Sequence, residues 1–245
     1  MSQRSISQPS HPSPSQAPGE IRIIPITGVP EVRPGDDVAA LILEAVTGSG
    51  IAEGDVIVVT QKVISKAEGR LVAASDRRRA ASDESVRVLR RSGEMIISET
   101  RHGFVCANSG VDASNVEGDV VALLPLDPDA SARGIRARIQ HATGRKVGVI
   151  ISDTFGRAWR LGQTDVAIGV AGFDPFTDYR GATDTQGRPL SATRICIADQ
   201  LAGAAEMVMG KSLRICAAIV RGAQVTWARG SAAQIVRPPG EDLFR

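Results

Sequence analysis

The run VGVIIS (147–152) is apolar until it stops at Asp153. From Val149 to Asp184 the sequence then reads VIISDTFGRAWRLGQTDVAIGVAGFDPFTDYRGATD, Gly-rich and charged, with one of the two Trp and the only Tyr of the chain. A second run, GFVCANSGVD, ends the same way at Asp112. Such runs are buried strands, and a strand end is where rigid backbone can present an acid to a cleft. The polar sequence that follows needs an explanation other than a core.

Bulk properties narrow the classes. With 245 residues and 42% hydrophobic content, the chain can bury a real core. Lys and Arg number 29 against 27 Asp and Glu, a net charge of +2 that lacks the surplus of a protein gripping nucleic acid by its phosphates. Lysine is scarce, confined to Lys62, Lys66, Lys146 and Lys211, so the pair in QKVISK stands out. Cys106, Cys196 and Cys216 lie in strand-like company without CxxC spacing and read as buried, reduced thiols. No apolar run reaches the roughly 18 residues of a membrane span, and the N-terminus lacks signal-peptide order, so the expectation is a cytoplasmic protein without membrane partners. Residues 1–19 are Ser, Pro and Gln with little to bury and are expected to be a disordered tail.

Periodicity gives a helix from Val38 to Val46, acids before it and Gly48 beyond, with Leu41, Ile42 and Ala45 in its stripe. Residues 54–60, 94–99 and 103–108 read as strands, residues 75–93 between them as a solvated helix, and QKVISK as the polar exit of the first strand. DVVALLPLD reads as a strand feeding a helix capped by Asp127, with Pro128 first and Ala132, Ile135, Ile139 and Ala142 inward. Strands at KVGVIIS, TDVAIGVAGF and LRICAAIVRG follow, with a helix over IADQLAGAAEMVMG whose inward residues are Leu201, Ala204, Ala205 and Val208. Strands and helices interleave with several strand-to-strand steps, which favours α+β with mixed sheets; neither a Rossmann glycine motif nor a P-loop is present.

Three groups could carry chemistry. Asp112 and Asp153, with Thr154 and Asn115 beside them, are hard oxygen ligands of the kind Mg²⁺ or Mn²⁺ takes, although such residues also simply close turns. Lys66, with Lys62 four residues before it, could meet a phosphate or lie on a solvated strand edge. Arg157, Arg160 and Arg180 stand among Gly turns and could read carboxylate or phosphate bidentately, or belong to a salt-bridged surface loop.

Together, GDVIVVTQKVISKAEGR, GFVCANSGVDASNV, LLPLDPDASARGIR, ISDTFGRAWRLGQTDVAIGVAG, DYRGATDTQGRPL and ADQLAGAAEMVMGK resemble the coenzyme F-420:L-glutamate ligase family, including the N-terminal half of its actinobacterial two-domain form. The resemblance implies a family-specific α+β fold over residues 20–245, an intertwined homodimer, and GTP-dependent addition of L-glutamate to a deazaflavin precursor, followed by γ-linked additions. It implies Mg²⁺ or Mn²⁺, two ions per site, and admits a monovalent cation. Position by position, Asp112 and Asp153 match first-metal ligands and Thr154 a second-metal ligand. Gln61, Lys66 and Asn115 match GTP contacts, as do Val29, Pro30, Glu31 and Val32 in one turn and Met209, Gly210, Lys211, Ser212 and Leu213 in another. Arg157, Arg160 and Arg180 are candidates to hold the glutamate carboxylates. Gln61 stands where relatives can carry a small hydroxyl residue, and Lys211 where others can have a carboxamide or carboxylate at the second metal. VRPPGEDLFR resembles the junction that leads, in two-domain relatives, into a flavin-binding domain. A metal-dependent nucleotide phosphohydrolase or a non-catalytic GTP-binding module would use the same acids, but neither accounts for GRAWR and DYRG.

Overall fold

A computed structural model describes residues 19–46, 50–114 and 118–243. The expected tail, the helix-ending Gly48 and the candidate Asn115 lie outside the described residues, apart from Gly19. Twelve strands and five α-helices are described, besides four short 3-10 turns: β1 (Arg22–Ile26), α1 (Val38–Ala45), β2 (Val56–Thr60), α2 (Gln61–Ala67), β3 (Leu71–Ala73), α3 (Arg77–Asp83), β4 (Ser85–Ser92), β5 (Met95–Thr100), β6 (Val105–Ala107), β7 (Val120–Ala122), α4 (Pro128–Thr143), β8 (Gly148–Arg157), β9 (Arg160–Ala171), β10 (Phe176–Asp178), β11 (Arg194–Cys196), α5 (Ile197–Met209) and β12 (Ala217–Arg221). The class is α+β, as expected.

The main sheet runs β1-β12-β2-β8-β9, antiparallel except for the parallel pair β2–β8. Its central strands are apolar on both faces because both are covered. Ile57, Val59, Val149, Ile151 and Ile219 pack under α1, α2 and α4, while Val56, Val58, Ile150, Ala218 and Val220 pack against α5. Helix α4 starts as the sequence says, with Asp127 accepting the Ala130 amide and Pro128 in the first turn. Its buried residues include Ala132, Ile135 and Ile139, but Ala142 is exposed, one position outside the stripe. On α5, Leu201 and Ala205 are buried as expected, whereas Ala204 and Val208 are only half-buried. The edge strand β9 is not left open. Asp199 accepts its Ala167 amide at 2.9 Å and Asp129 its Val170 amide at 2.7 Å, so helix-borne carboxylates replace a missing strand.

Three expectations need correction. QKVISKA is helical, not a strand exit: Val63, Ile64 and Ala67 pack into the core at helical spacing. Residues 75–93 are only half helix; α3 ends at Asp83 and the Arg-rich remainder is β4, where Val88 packs toward a small core made by Ala80, Ala81, Ile96, Val111, Val121 and Leu123. Tertiary pairing with β5 overrides a weak helical pattern there. The segment after Asp153 is not loop: β8 continues to Arg157 and returns as β9, a hairpin. Of the thiols, only Cys106 is buried; Cys196 and Cys216 are half-buried. Among the described residues no helix is long and apolar enough to cross a membrane.

Helix α4 sits so close to β9 that a methyl added at Gly169 would stand 2.4 Å from the Pro128 carbonyl oxygen, an atom that cannot rotate away. Gly169→Ala is expected to lower the unfolding free energy by about 1–3 kcal/mol in urea titration. Gly156→Ala, where a methyl meets open space, should stay within about 0.5 kcal/mol of wild type. Equal stabilities for the two variants would show that α4 does not press on β9.

Candidate active site

Asp153 is delivered by the alternation of β8: Val149, Ile151 and Asp153 share the face turned to α2, while Ser152 and Thr154 face α5. Strand β2 pairs with β8 only as far as Thr60 opposite Ser152, then turns into α2. The first turn of that helix therefore lies over Asp153. Lys62 and Lys66, four residues apart, share one helical face, and both are buried along their stems. Lys62 binds Asp112 at 2.7 Å, and Lys66 binds Glu31.

Asp112 arrives from a separate layer. Asn108, Ser109 and Gly110 all have left-handed backbone, with φ of 50°, 54° and 74°. Two non-glycine residues in that region cost on the order of 1–2 kcal/mol each. The cost is offset locally: Asn108 Oδ1 accepts the Ile96 amide, and the buried Ser109 hydroxyl lies within 2.8 Å of Ser85 Oγ, Ser98 Oγ and Ala81 O. At Gly110 a side chain would collide with Leu124 at 2.7 Å. After this turn Asp112 pairs with Ala122 backbone to backbone, which fixes where its carboxylate stands.

The two carboxylates have opposite electrostatics. Burial pushes the Asp112 carboxyl up, but the Lys62 ammonium and the Ser114 amide and hydroxyl outweigh it and hold the pKa below the ordinary value. Burial drives Asp153 up to about 7; Lys62 and the Thr154 amide pull it down, and Asp112 and Asp165 push it further up. A cation placed beside Asp153 would relieve this repulsion, so the hard oxygens of Asp112 and Asp153 suit Mg²⁺ or Mn²⁺. Among the described residues no group of three His, Cys, Asp or Glu could hold an ion, so remaining positions would fall to ligand oxygens and water.

On the opposite face of β8, Asp165 is 4% exposed and accepts the Thr154 hydroxyl at 2.5 Å and the Ser152 hydroxyl at 3.0 Å. Lys211, just past α5, reaches Thr154 Oγ1 at 2.5 Å, Asp165 at 3.3 Å and Glu206 at 3.6 Å. The turn at Gly210 thus brings Met209–Leu213 to the strand end, and Leu213 packs on Gly210. The Val29–Val32 turn reaches the same region through Glu31 and Lys66. Gln61 is fully buried, and its amide nitrogen has no hydrogen-bond partner among the described residues, an orphan donor of the kind a ligand satisfies.

The arginines are placed elsewhere. Arg157 and Arg160 pair across the hairpin end, where Arg157 donates to the Leu161 carbonyl at 2.9 Å. Arg180 forms a local fork with Asp178 at 2.5–3.0 Å. Among the described residues no bond links them to Asp112 or Asp153. The sequence set Lys62 beside Lys66 as a cation pair but gave it no partner of its own, and Asp165, Ser152 and Glu206 were not among the site candidates. A helical reading of QKVISKA would have put Lys62 beside Lys66, and alternation along β9 would have set Asp165 opposite Thr154.

A raised carboxyl pKa means that the fold keeps a proton which the unfolded chain releases. In metal-free protein with chelator present, wild-type stability should therefore fall as pH rises from about 4 toward 7 and level off above it. Asp153→Asn cannot titrate and should flatten that fall, gaining on wild type at pH 8. Urea titrations at pH 5 and pH 8 test this, and identical pH dependence in both proteins would show that Asp153 is not buried as described.

The model of the F420-0:Gamma-glutamyl ligase family matches residues 27–222, a span containing every acid and lysine of this arrangement. A protein of Methanothermobacter thermautotrophicus named Coenzyme F420:L-glutamate ligase is 41% identical over 251 residues, covering 92% of this chain and 99% of its own length. Proteins of the same name from Methanopyrus kandleri and Archaeoglobus fulgidus are each 39% identical over 92% of this chain, covering 98% and 96% of their own lengths. With the family model covering most of the sequence and relatives aligned nearly end to end, the chain belongs to the F420-0:gamma-glutamyl ligase family.

Proposed function

We propose that the chain catalyses GTP-dependent addition of L-glutamate to the carboxyl group of the deazaflavin precursor of coenzyme F-420, and then adds further glutamates through γ-linkages. The observation that carries this reading is end-to-end relatedness to proteins named for that ligation, with the acid and lysine constellation inside the matched span. The enzyme would work as a homodimer.

The residues divide the work by chemistry. Lys66, on the buried face of α2, is a point charge for a GTP phosphate and would exchange its Glu31 partner for it. Gln61 offers its orphan amide, and the Val29–Val32 and Met209–Leu213 turns offer backbone from opposite sides of the strand end. Asp112 and Asp153 would hold Mg²⁺ or Mn²⁺, which supplies charge neutralisation at the phosphates, and Thr154 with Asp165 would serve a second ion. Lys211 already places a cation at that second position. Attack of the substrate carboxylate on the γ-phosphorus breaks its bond to the β–γ bridging oxygen, releasing GDP and giving an acyl phosphate. The glutamate amine then attacks the acyl carbon, forms the amide with loss of a proton and displaces phosphate. No protein nucleophile is required. Burial raises the Cys106 thiol to about 12, with the Asp153 charge adding to the effect, so the sulfur near the site stays protonated and unreactive. Arg157, Arg160 or Arg180 would meet the glutamate carboxylates.

Incubation with GTP, Mg²⁺ or Mn²⁺, L-glutamate and the unglutamylated deazaflavin, followed by mass spectrometry, should give a ladder spaced by glutamate residues. GTP hydrolysis without an amide product would instead identify a phosphohydrolase, and GTP binding without turnover a binding module. Lys66→Ala is expected to raise KM for GTP with a smaller effect on kcat, since a phosphate contact is lost while the acids remain. Asp112→Asn and Asp153→Asn should each weaken Mn²⁺ binding in calorimetry and nearly abolish ligation. The double variant should be little worse than either, because groups serving one ion act as a unit. Wild-type metal affinity in a folded single variant would remove that aspartate from the site.

A further inference from the structure

A pocket open to solvent lies at the end of the main sheet away from Asp153. It has a volume of about 540 Å³ between α4, the end of β9 and the segment after β12, and its lining includes Arg133, Arg136, Lys146, Arg229 and Trp227 but no acid. Ala171 in its wall pairs with Val149, about 13 Å of strand from Asp153. None of the residues placed in the ligase site lines it.

Two of the cations, Arg136 and Lys146, are held there by specific contacts. Arg136 donates from Nε to the Val147 carbonyl at 2.9 Å, which fixes its guanidinium at the wall. It can lie there only because residue 172 is glycine: Gly172 has φ of 96°, and a Cβ would stand 2.4 Å from Arg136 Nε. The Lys146 ammonium sits 4.9 Å from the centre of the Trp227 ring, while its backbone amide is taken by Glu53. Trp227 is itself anchored, bridged to Phe173 in antiparallel fashion, with Gly230 packed so tightly on the Phe173 carbonyl that no side chain would fit. Among the described residues Arg136, Lys146 and Arg229 have no ion pair, and Arg133 has only a long one, 3.6 Å to the exposed Asp127. Four like charges around one cavity repel one another and favour a counter-charge between them.

We propose that this cavity is a binding site for a small, multiply charged oxyanion, separate from the ligase site. Guanidinium forks and an ammonium suit both phosphate and carboxylate oxygens. The volume is in the range of small-molecule sites, which points to a chain of anionic groups. Two sources share that chemistry: a polyphosphate chain, and a γ-linked oligoglutamate. The proposal does not depend on the reaction assigned above.

The chain has two Trp, so Trp159→Phe leaves Trp227 as the single fluorophore beside the cavity. Titration of this full-length variant with inorganic tripolyphosphate, and separately with tri-γ-glutamate, at constant ionic strength should give a saturable change in Trp227 emission for one or both. Tripolyphosphate alone identifies a phosphate site, and tri-γ-glutamate alone a polycarboxylate site. Lys146→Gln with Arg229→Gln alters two exposed side chains and should weaken the effective anion about tenfold or more, a loss of roughly 1.4 kcal/mol. Lys66→Ala should leave the response unchanged. A response to neither anion, one that only tracks total salt, or equal affinity in the double variant would overturn the proposal.

Discussion

Strand β8 is the constraint from which the rest follows. Its first half is paired on both sides, parallel to β2 and antiparallel to β9, and so is rigid and fully buried. Its second half keeps only β9, because β2 has turned into α2 at Gln61. The strand thus leaves the sheet with one open flank at the point where its polar residues begin. Alternation does the sorting: Asp153 goes to the side of Lys62 and Asp112, and Thr154 to the side of Asp165 and Lys211. An irregularity in β9, where Ser152 pairs with Ala167 but Ile151 with Gly169, slips the register so that Asp165 comes opposite Thr154. Without that extra residue Asp165 would lose its place beside Thr154.

The charges divide into two sets on the two faces of one strand. Beneath β8, one lysine serves two aspartates, and only Asp112 receives a direct bond from it. Asp153 takes the burden of burial, and its neighbours Asp112 and Asp165 add repulsion. Above β8, Lys211 is shared by Asp165 and Glu206, with a hydroxyl between. On both faces, then, negative groups exceed the cations set among them. An apolar core would have been cheaper, because a buried acid without a full partner is destabilising. The arrangement suits a site that gains positive charge when it is filled.

Strands β2, β5 to β9 and β12, and helices α1, α4 and α5, were readable because apolar periodicity and caps agree with packing there: Asp127 and Pro128 start α4 as written, and the VGVIIS run is β8. The misreadings share one cause. In QKVISKA and in the Arg-rich half of residues 75–93, polar residues carry little periodic signal, and contacts with distant segments decide the structure. The same cause hid half of the site. Asp112 and Asp153 end apolar runs and announce themselves locally, but Lys62 matters only because a helix turns it toward an acid 50 residues later, and Asp165 only because a hairpin sets it against Thr154. The three arginines had a local signal, Gly turns with charge, and they stand at the hairpin end and in the Asp178 fork. Spacing in sequence says which residue types are available; pairing decides which of them meet.

The layer that carries Asp112 shows how such a meeting is made firm. Its own core is small, six buried residues under α3 and β5, too few to hold a strained turn unaided. Polar ties make up the difference. Glu84 joins Arg70 at 2.9 Å and Arg101 at 3.1 Å, Arg70 also reaches the Leu124 carbonyl, and Ser109 stands among three oxygens at the turn itself. These bonds run between α3, the β4–β6 sheet and the chain just before α4, so the left-handed turn is held from both layers at once. A turn fixed in that way can set the carboxylate of Asp112 against Lys62 from outside the main sheet. The acid that β8 supplies and the acid that the small layer supplies then approach from independent frameworks, and the gap between them is set by how the two layers pack, not by any single strand.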